Sequence, residues 1–130
     1  MLEEKLGLQL KVPKQCMAAC YDGNGAHYVA HRDNTVDASD CCANNREVTL
    51  VMYPNCGWRD DLGWGGRLRC YVGADSTDDD GATAVEVREV PPAAGTLVVF
   101  KSRELLHEVL PAHHRRMALS LWILADDGDD

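Results

Sequence analysis

Eight short runs rich in β-branched, aromatic and cysteine residues, each closed by a turn-forming cluster, leave this chain almost no room for helix. They cover residues 15–21, 27–31, 46–53, 67–72, 84–90, 96–101, 107–110 and 116–124. Between them lie Asp22, Gly23, Asn24 and Gly25, a polar stretch over 34–45, a Trp- and Gly-rich connection over 55–66, the acidic Asp78, Asp79 and Asp80, and Pro91 with Pro92. Strands this short, with turn signals this frequent, cannot bury their apolar faces in a single layer and must close into a sandwich or barrel. Helical spacing survives only at the start, where Leu2, Leu6 and Leu10 recur every four residues. The expected fold is all-β, a double-stranded β-helix (jelly roll) with a short N-terminal helical stretch. It forms one domain over 1–130, with its core at 15–124 and an acidic tail at 125–130.

Composition narrows the class. A 130-residue chain with 45% hydrophobic residues is long enough for one real core. The net charge of −8 argues against a nucleic-acid partner, which needs a basic footprint. No apolar run approaches the ~20 residues of a membrane span, and MLEEKLGLQL is not a secretory leader. Cytoplasm or nucleus is therefore the expected compartment, with no membrane partner. In a reducing compartment the 6 cysteines are expected to be free thiols. No Cys-x-x-Cys pair points to zinc, and Cys16 and Cys20 are expected to pack as small hydrophobes on one strand face.

The chemistry sits in His31, Asp33, His107 and Arg116. Two histidines and one carboxylate are the facial ligand set that holds non-haem Fe(II) and leaves positions open for co-substrate and O2. With 5 His and 21 acidic residues, a His-x-acid pair carries little weight alone. Its placement carries more. His31 and Asp33 are two apart at the end of the second run, so a period of two turns both to one face. His107 opens the seventh run, which neighbours the second in a jelly roll. Arg116 opens the eighth and could fix the far carboxylate of a dicarboxylic co-substrate. Adjacent strand residues face opposite sides, so only one of Arg115 and Arg116 points inward.

Six ordered blocks then make a resemblance. ACYDGNG (19–25), YVAHRDN (28–34), VTLVMYPN (48–55), GGRLR (65–69), HEVLPA (107–112) and RMALSLW (116–122) resemble the Fe(II)/2-oxoglutarate-dependent prolyl 4-hydroxylases, most of all the hypoxia-inducible-factor branch. The resemblance implies His31, Asp33 and His107 as iron ligands. It implies Arg116 and Tyr53 on the distal carboxylate of 2-oxoglutarate, and Tyr21, Leu68, Val109 and Ser120 around that pocket. Tyr28, Arg46 and Trp122 match positions near the substrate. The implied activity is hydroxylation of a prolyl residue in a protein or peptide, using Fe(II), 2-oxoglutarate and O2 with ascorbate as reductant, and releasing succinate and CO2.

Departures leave alternatives open. Arg32 stands between the first two ligands where the oxygen-sensing branch prefers a small apolar residue, and the polar loop carries Cys41 and Cys42. Family domains carry helices and strands before the barrel, whereas only residues 1–14 precede the first run here. A fragment, an incomplete gene model and a minimal member all fit. A same-fold oxygenase on another substrate, or an inactive β-roll acting as a binding module, remain competing functions, and the oligomeric state stays open. His113 and His114 fall in a turn and are expected in solvent, with Trp58 and Trp64 capping the barrel.

Overall fold

A computed structural model describes residues 2–7, 9–74 and 84–126. A short helix α1 (Leu2–Leu6) precedes strands β1 (Leu10–Lys11), β2 (Met17–Tyr21), β3 (Ala26–His31) and β4 (Arg46–Met52). A 3-10 turn (Asp60–Leu62) follows, then β5 (Leu68–Val72), β6 (Glu86–Val90), β7 (Leu97–Lys101), β8 (Leu106–Ala112) and β9 (Arg116–Ala125). Each of the eight expected runs overlaps a strand, and β3, β8 and β9 extend beyond the expected bounds. The acidic run at 78–80 and residues 127–130 of the tail lie outside the described residues. Among the described residues no helix is long and apolar enough to cross a membrane.

The strands form two antiparallel sheets. One runs β1-β9-β4-β7, with β2 also paired to β9, and the other runs β3-β8-β5-β6. From β2 onward the chain changes sheet at every step except the β5–β6 hairpin. That alternation is what winds a jelly roll, and it brings β3 beside β8 with His31 directly opposite His107. Along β9 burial alternates as the pleat requires: Arg116, Ala118 and Ser120 are buried, Met117 is exposed and Leu119 half-buried.

Among the described residues, buried apolar side chains such as Val48, Tyr53, Leu68 and Leu106 share the interior with buried polar ones, among them Asp33, Asn34, Thr49, Ser102, His107 and Arg116. Buried polar groups cost stability unless they are satisfied, so this barrel holds a site as well as a core.

Two expectations need correction. The helical stretch ends at Gly7, whose φ of 64° suits a glycine helix stop. Leu10 therefore lies in β1, opposite Ala125, and not on a helix face with Leu2. Cys16 and Cys20 are exposed. Tyr21 is the β2 residue that faces Arg116, so its neighbour Cys20 is turned to the outer face, where it accepts from Arg115 Nε at 3.4 Å. All six cysteines are free thiols.

Candidate metal and co-substrate site

Three ligand atoms converge where β3 and β8 meet. His31 Nε2 lies 3.2 Å and His107 Nε2 3.4 Å from Asp33 Oδ1. The ligand atoms of the three residues all fall within 4.8 Å of one another. His31 ends β3, while Asp33 sits in the turn just past it, so the turn and not the pleat alone aims the carboxylate.

The histidine tautomers follow from their partners. His31 Nδ1 is 2.8 Å from the Val29 carbonyl and His107 Nδ1 is 2.9 Å from the Leu105 carbonyl. A carbonyl can only accept, so both Nδ1 atoms donate, and both Nε2 atoms turn bare lone pairs inward in the neutral rings. Two lone pairs and a carboxylate oxygen at these separations repel unless a cation or a proton lies among them. Burial pushes the Asp33 carboxyl up, but His107 and His31, which donate to it from Nε2 only as protonated rings, outweigh that together with the Trp122 indole and hold it well below the usual carboxylate range. Burial lowers His31, and the contacts with Asp33 and the Val29 carbonyl together more than offset that, leaving it raised. The donor set is two imidazole nitrogens and one carboxylate oxygen on one side of a pocket, which fits Fe(II).

Asp33 is held from behind. Its Oδ2 accepts from Thr49 Oγ1 at 2.8 Å and from Trp122 Nε1 at 3.1 Å, and Thr49 is 2.8 Å from Ser102 Oγ. Asn34, the next residue, donates its amide to the Asn44 and Arg46 carbonyls, while Asn44 donates its own to the Asp33 carbonyl. These bonds pin both ends of the 34–45 loop.

Arg116 marks the other half of the site. It is 2% exposed, donates Nε to the Gly66 carbonyl at 2.7 Å, and has one terminal nitrogen 3.4 Å from the Tyr53 hydroxyl. Its guanidinium also lies over Tyr21 and Tyr53, at 5.2 and 5.1 Å from the ring centroids. Among the described residues no carboxylate pairs with it, and burial lowers its pKa. A cation buried without a counter-charge calls for an anion in the pocket. Burial also raises Tyr53 and Tyr21, against the pull of Arg116. Both are therefore neutral hydroxyls able to donate to such an anion. Gly66 makes the arrangement possible, because a Cβ there would stand 3.0 Å from Arg116 Cδ.

The remaining sequence candidates divide. Leu68 is buried opposite Val109, and Ser120 shares the inward face of β9 with Arg116. Tyr28 is 50% exposed, with its ring 4.5 Å from that of His31, which places it at the open rim. Arg46 stacks on Trp122 at 3.8 Å. Trp122 was expected at the rim of the pocket near the substrate, and its indole N–H is also bound to Asp33. Arg115 is exposed, as the strand parity allows. His114, although exposed, stacks on Trp64 at 3.6 Å, and Trp58 completes that cluster beside a groove of ≈ 290 Å³. Sequence reasoning missed Asn34, Asn44, Thr49 and Ser102. Only Thr49 carried a signal, since it lies four residues before Tyr53 on the same strand parity.

A β-barrel with this ligand set and a buried arginine defines a non-haem iron oxygenase type of site. The model of the 2OG-Fe(II) oxygenase superfamily matches residues 16–124, and the chain belongs to that superfamily, whose members use Fe(II), 2-oxoglutarate and O2. It is 35% identical over 111 residues to a hypoxia-inducible factor prolyl hydroxylase of Caenorhabditis elegans, covering 85% of this chain and 13% of that protein. It is 32% identical to human prolyl hydroxylase EGLN3, covering 87% and 41%. A Pseudomonas putida prolyl-4-hydroxylase superposes with a TM-score of 0.75 at 35% identity, covering 95% of this chain and 59% of that one. A Trichoplax adhaerens prolyl hydroxylase, solved with a hypoxia inducible factor oxygen degradation domain peptide fragment, gives 0.73 at 30%, covering 92% and 47%. The chain thus spans less than half the length of these two curated relatives.

Proposed function

We propose that this chain is an Fe(II)- and 2-oxoglutarate-dependent dioxygenase that hydroxylates a prolyl residue in a protein or peptide, with release of succinate and CO2. The observation that carries this reading is one barrel holding both a cluster of three inward lone pairs and a buried guanidinium with no carboxylate partner among the described residues. The first half lacks a cation and the second an anion, which Fe(II) and 2-oxoglutarate would supply. His31, Asp33 and His107 would hold the metal, and Arg116 with the Tyr53 hydroxyl would take the distal carboxylate of 2-oxoglutarate. Tyr21, Leu68, Val109 and Ser120 would wall the space between. When bound, the iron supplies O2 activation: one oxygen atom enters the substrate C–H bond, and the other enters succinate as CO2 leaves.

The protein's own residues do the positioning. The backbone carbonyls of Val29 and Leu105 fix the ring orientations, and the guanidinium fork of Arg116 suits a bidentate carboxylate. Asp33, His107, Tyr53 and Arg116 are buried, which strengthens their electrostatic hold on a charged ligand. Tyr28, Arg46 and Trp122 line the route by which a peptide would approach His31. The prolyl hydroxylases among the relatives, one of them bound to a peptide, support a proline-containing partner, and the charge of −8 does not suit nucleic acid.

The test is incubation of the protein with Fe(II), 2-oxoglutarate, ascorbate and a panel of proline-containing peptides, read by mass. A gain of one oxygen on proline, matched one-to-one by succinate, is expected. Oxygen found on another residue type overturns the substrate, and absence of succinate from a folded sample overturns the enzyme.

A further inference from the structure

We infer that Thr49 and Ser102 are positioning residues that decide which oxygen of Asp33 faces the metal pocket. The inference rests on the metal-site reading above and adds two residues that reading does not use. Both side chains are sealed from solvent, with Thr49 1% and Ser102 0% exposed. They arrive from different strands of the same sheet: Thr49 from the inward face of β4, Ser102 from the turn after β7.

The direction of the relay follows from counting protons. An ionised carboxylate only accepts, so the contact from Thr49 Oγ1 to Asp33 Oδ2 uses the one hydroxyl proton that Thr49 has. Thr49 must therefore accept at its 2.8 Å contact with Ser102, and Ser102 donates. The chain of donation runs Ser102 to Thr49 to Asp33. Trp122, directly opposite Thr49 across the β4–β9 pairing, adds a second donor to the same oxygen.

Oδ2 is thereby committed to two protein donors, while Oδ1 faces the two bare Nε2 atoms. Asp33 can offer a cation one oxygen and no more. A carboxylate free to turn could offer both, and would then occupy a position the co-substrate needs. The backbone is anchored too: Asn34 N donates to the Ser102 carbonyl at 3.0 Å, and Ser102 N to the Glu47 carbonyl at 3.0 Å. Ser102 thus ties the Asp33 turn to β4 through main chain and side chain together.

The test compares wild type with Thr49→Val, Thr49→Ser and Ser102→Ala, measured without O2. The readouts are Co(II) affinity by calorimetry and the visible charge-transfer absorption that appears when 2-oxoglutarate chelates bound Fe(II). Thr49→Val removes the donor at constant shape and is expected to weaken metal binding about 10- to 100-fold, as loss of a ligand's supporting hydrogen bond does, and to shift or abolish the absorption. Thr49→Ser restores both. Ser102→Ala gives about a tenfold loss, the lower end of the same range, and decides the question if Thr49→Val does not fold. A Thr49→Val protein with wild-type affinity and absorption overturns the relay while leaving the metal site standing. A wild type that binds no metal overturns the metal-site reading itself.

Discussion

Replacing Arg116 by Met should separate stability from co-substrate binding. Met keeps most of the volume and removes the charge. A lone buried ion costs several kcal/mol of desolvation, and exchanging buried ionic groups for apolar ones of similar size is often neutral or stabilising by about 1–4 kcal/mol. Against that gain, the Gly66 carbonyl loses the donor at 2.7 Å, and an unsatisfied buried acceptor costs about 1–3 kcal/mol. The two nearly cancel, so the unligated variant should stay within about 2 kcal/mol of wild type. Truncating an ordinary large core residue costs about 2–5 kcal/mol. Binding behaves differently. Loss of one partner of a desolvated charge pair costs about 2–5 kcal/mol, which raises the Kd for 2-oxoglutarate roughly 30- to 5,000-fold. Calorimetry with Mn(II) in place of iron measures that Kd without turnover, and thermal unfolding measures the rest. Wild type at about 100 times its Kd gains about 2.7 kcal/mol from the ligand, whereas the variant gains at most about 0.9 kcal/mol at the same concentration. An Arg116→Met protein that keeps its 2-oxoglutarate affinity within threefold, or that fails to fold, would refute the reasoning.

Asp33→Ala and His107→Ala should each weaken metal uptake by about 100-fold or more, beyond what loss of a supporting hydrogen bond does; equilibrium dialysis with Fe(II) under argon checks this. Gly65→Ala places a Cβ 2.4 Å from the Pro111 carbonyl oxygen at a φ of 63°, and should cost about 2–4 kcal/mol in denaturant titration. Gly57→Ala, at a φ of 69° with open space around it, is the control and should cost only about 1–2 kcal/mol. Across the β5–β6 pairing, hydrogen bonding to Arg69, opposed by partial burial, leaves Glu89 below its ordinary pKa of 4.5. Its contribution is full above that value and is lost as pH falls through the lower folded pKa. The stability difference between wild type and Arg69→Gln should therefore be below about 1 kcal/mol at neutral pH and should vanish in acid.

The fold was legible because each strand's composition and the turn signals agreed, and β9 shows how far parity alone reaches. Arg116, Ala118 and Ser120 point inward as the period of two requires. Failures came where local pattern meets tertiary context. Leu10 fitted a helix face, but the glycine at position 7 ended the helix and the free edge of β9 captured Leu10. Cys20 looked like core on composition, yet the pairing of Tyr21 with Arg116 assigned it to the outer face. His31, Asp33 and His107 were visible as residue types at strand ends. Their support was not. Asn34 and Asn44 meet across a loop, and Ser102 reaches Thr49 only once β7 lies against β4. No periodicity encodes those contacts, because each depends on long-range pairing. Trp122 was visible as a pocket residue, but its bond to Asp33 depends on the β4–β9 register.

The central claim is that one pocket joins a His31, Asp33 and His107 metal site to a carboxylate seat at Arg116. Anaerobic titration of Fe(II) and 2-oxoglutarate into the protein, followed by visible absorption, tests both halves at once. The account predicts a charge-transfer band that appears only with both ligands present, disappears in Asp33→Ala, and needs far more 2-oxoglutarate in Arg116→Met. A folded wild type that shows no band at millimolar 2-oxoglutarate, or a band indifferent to both substitutions, would contradict it.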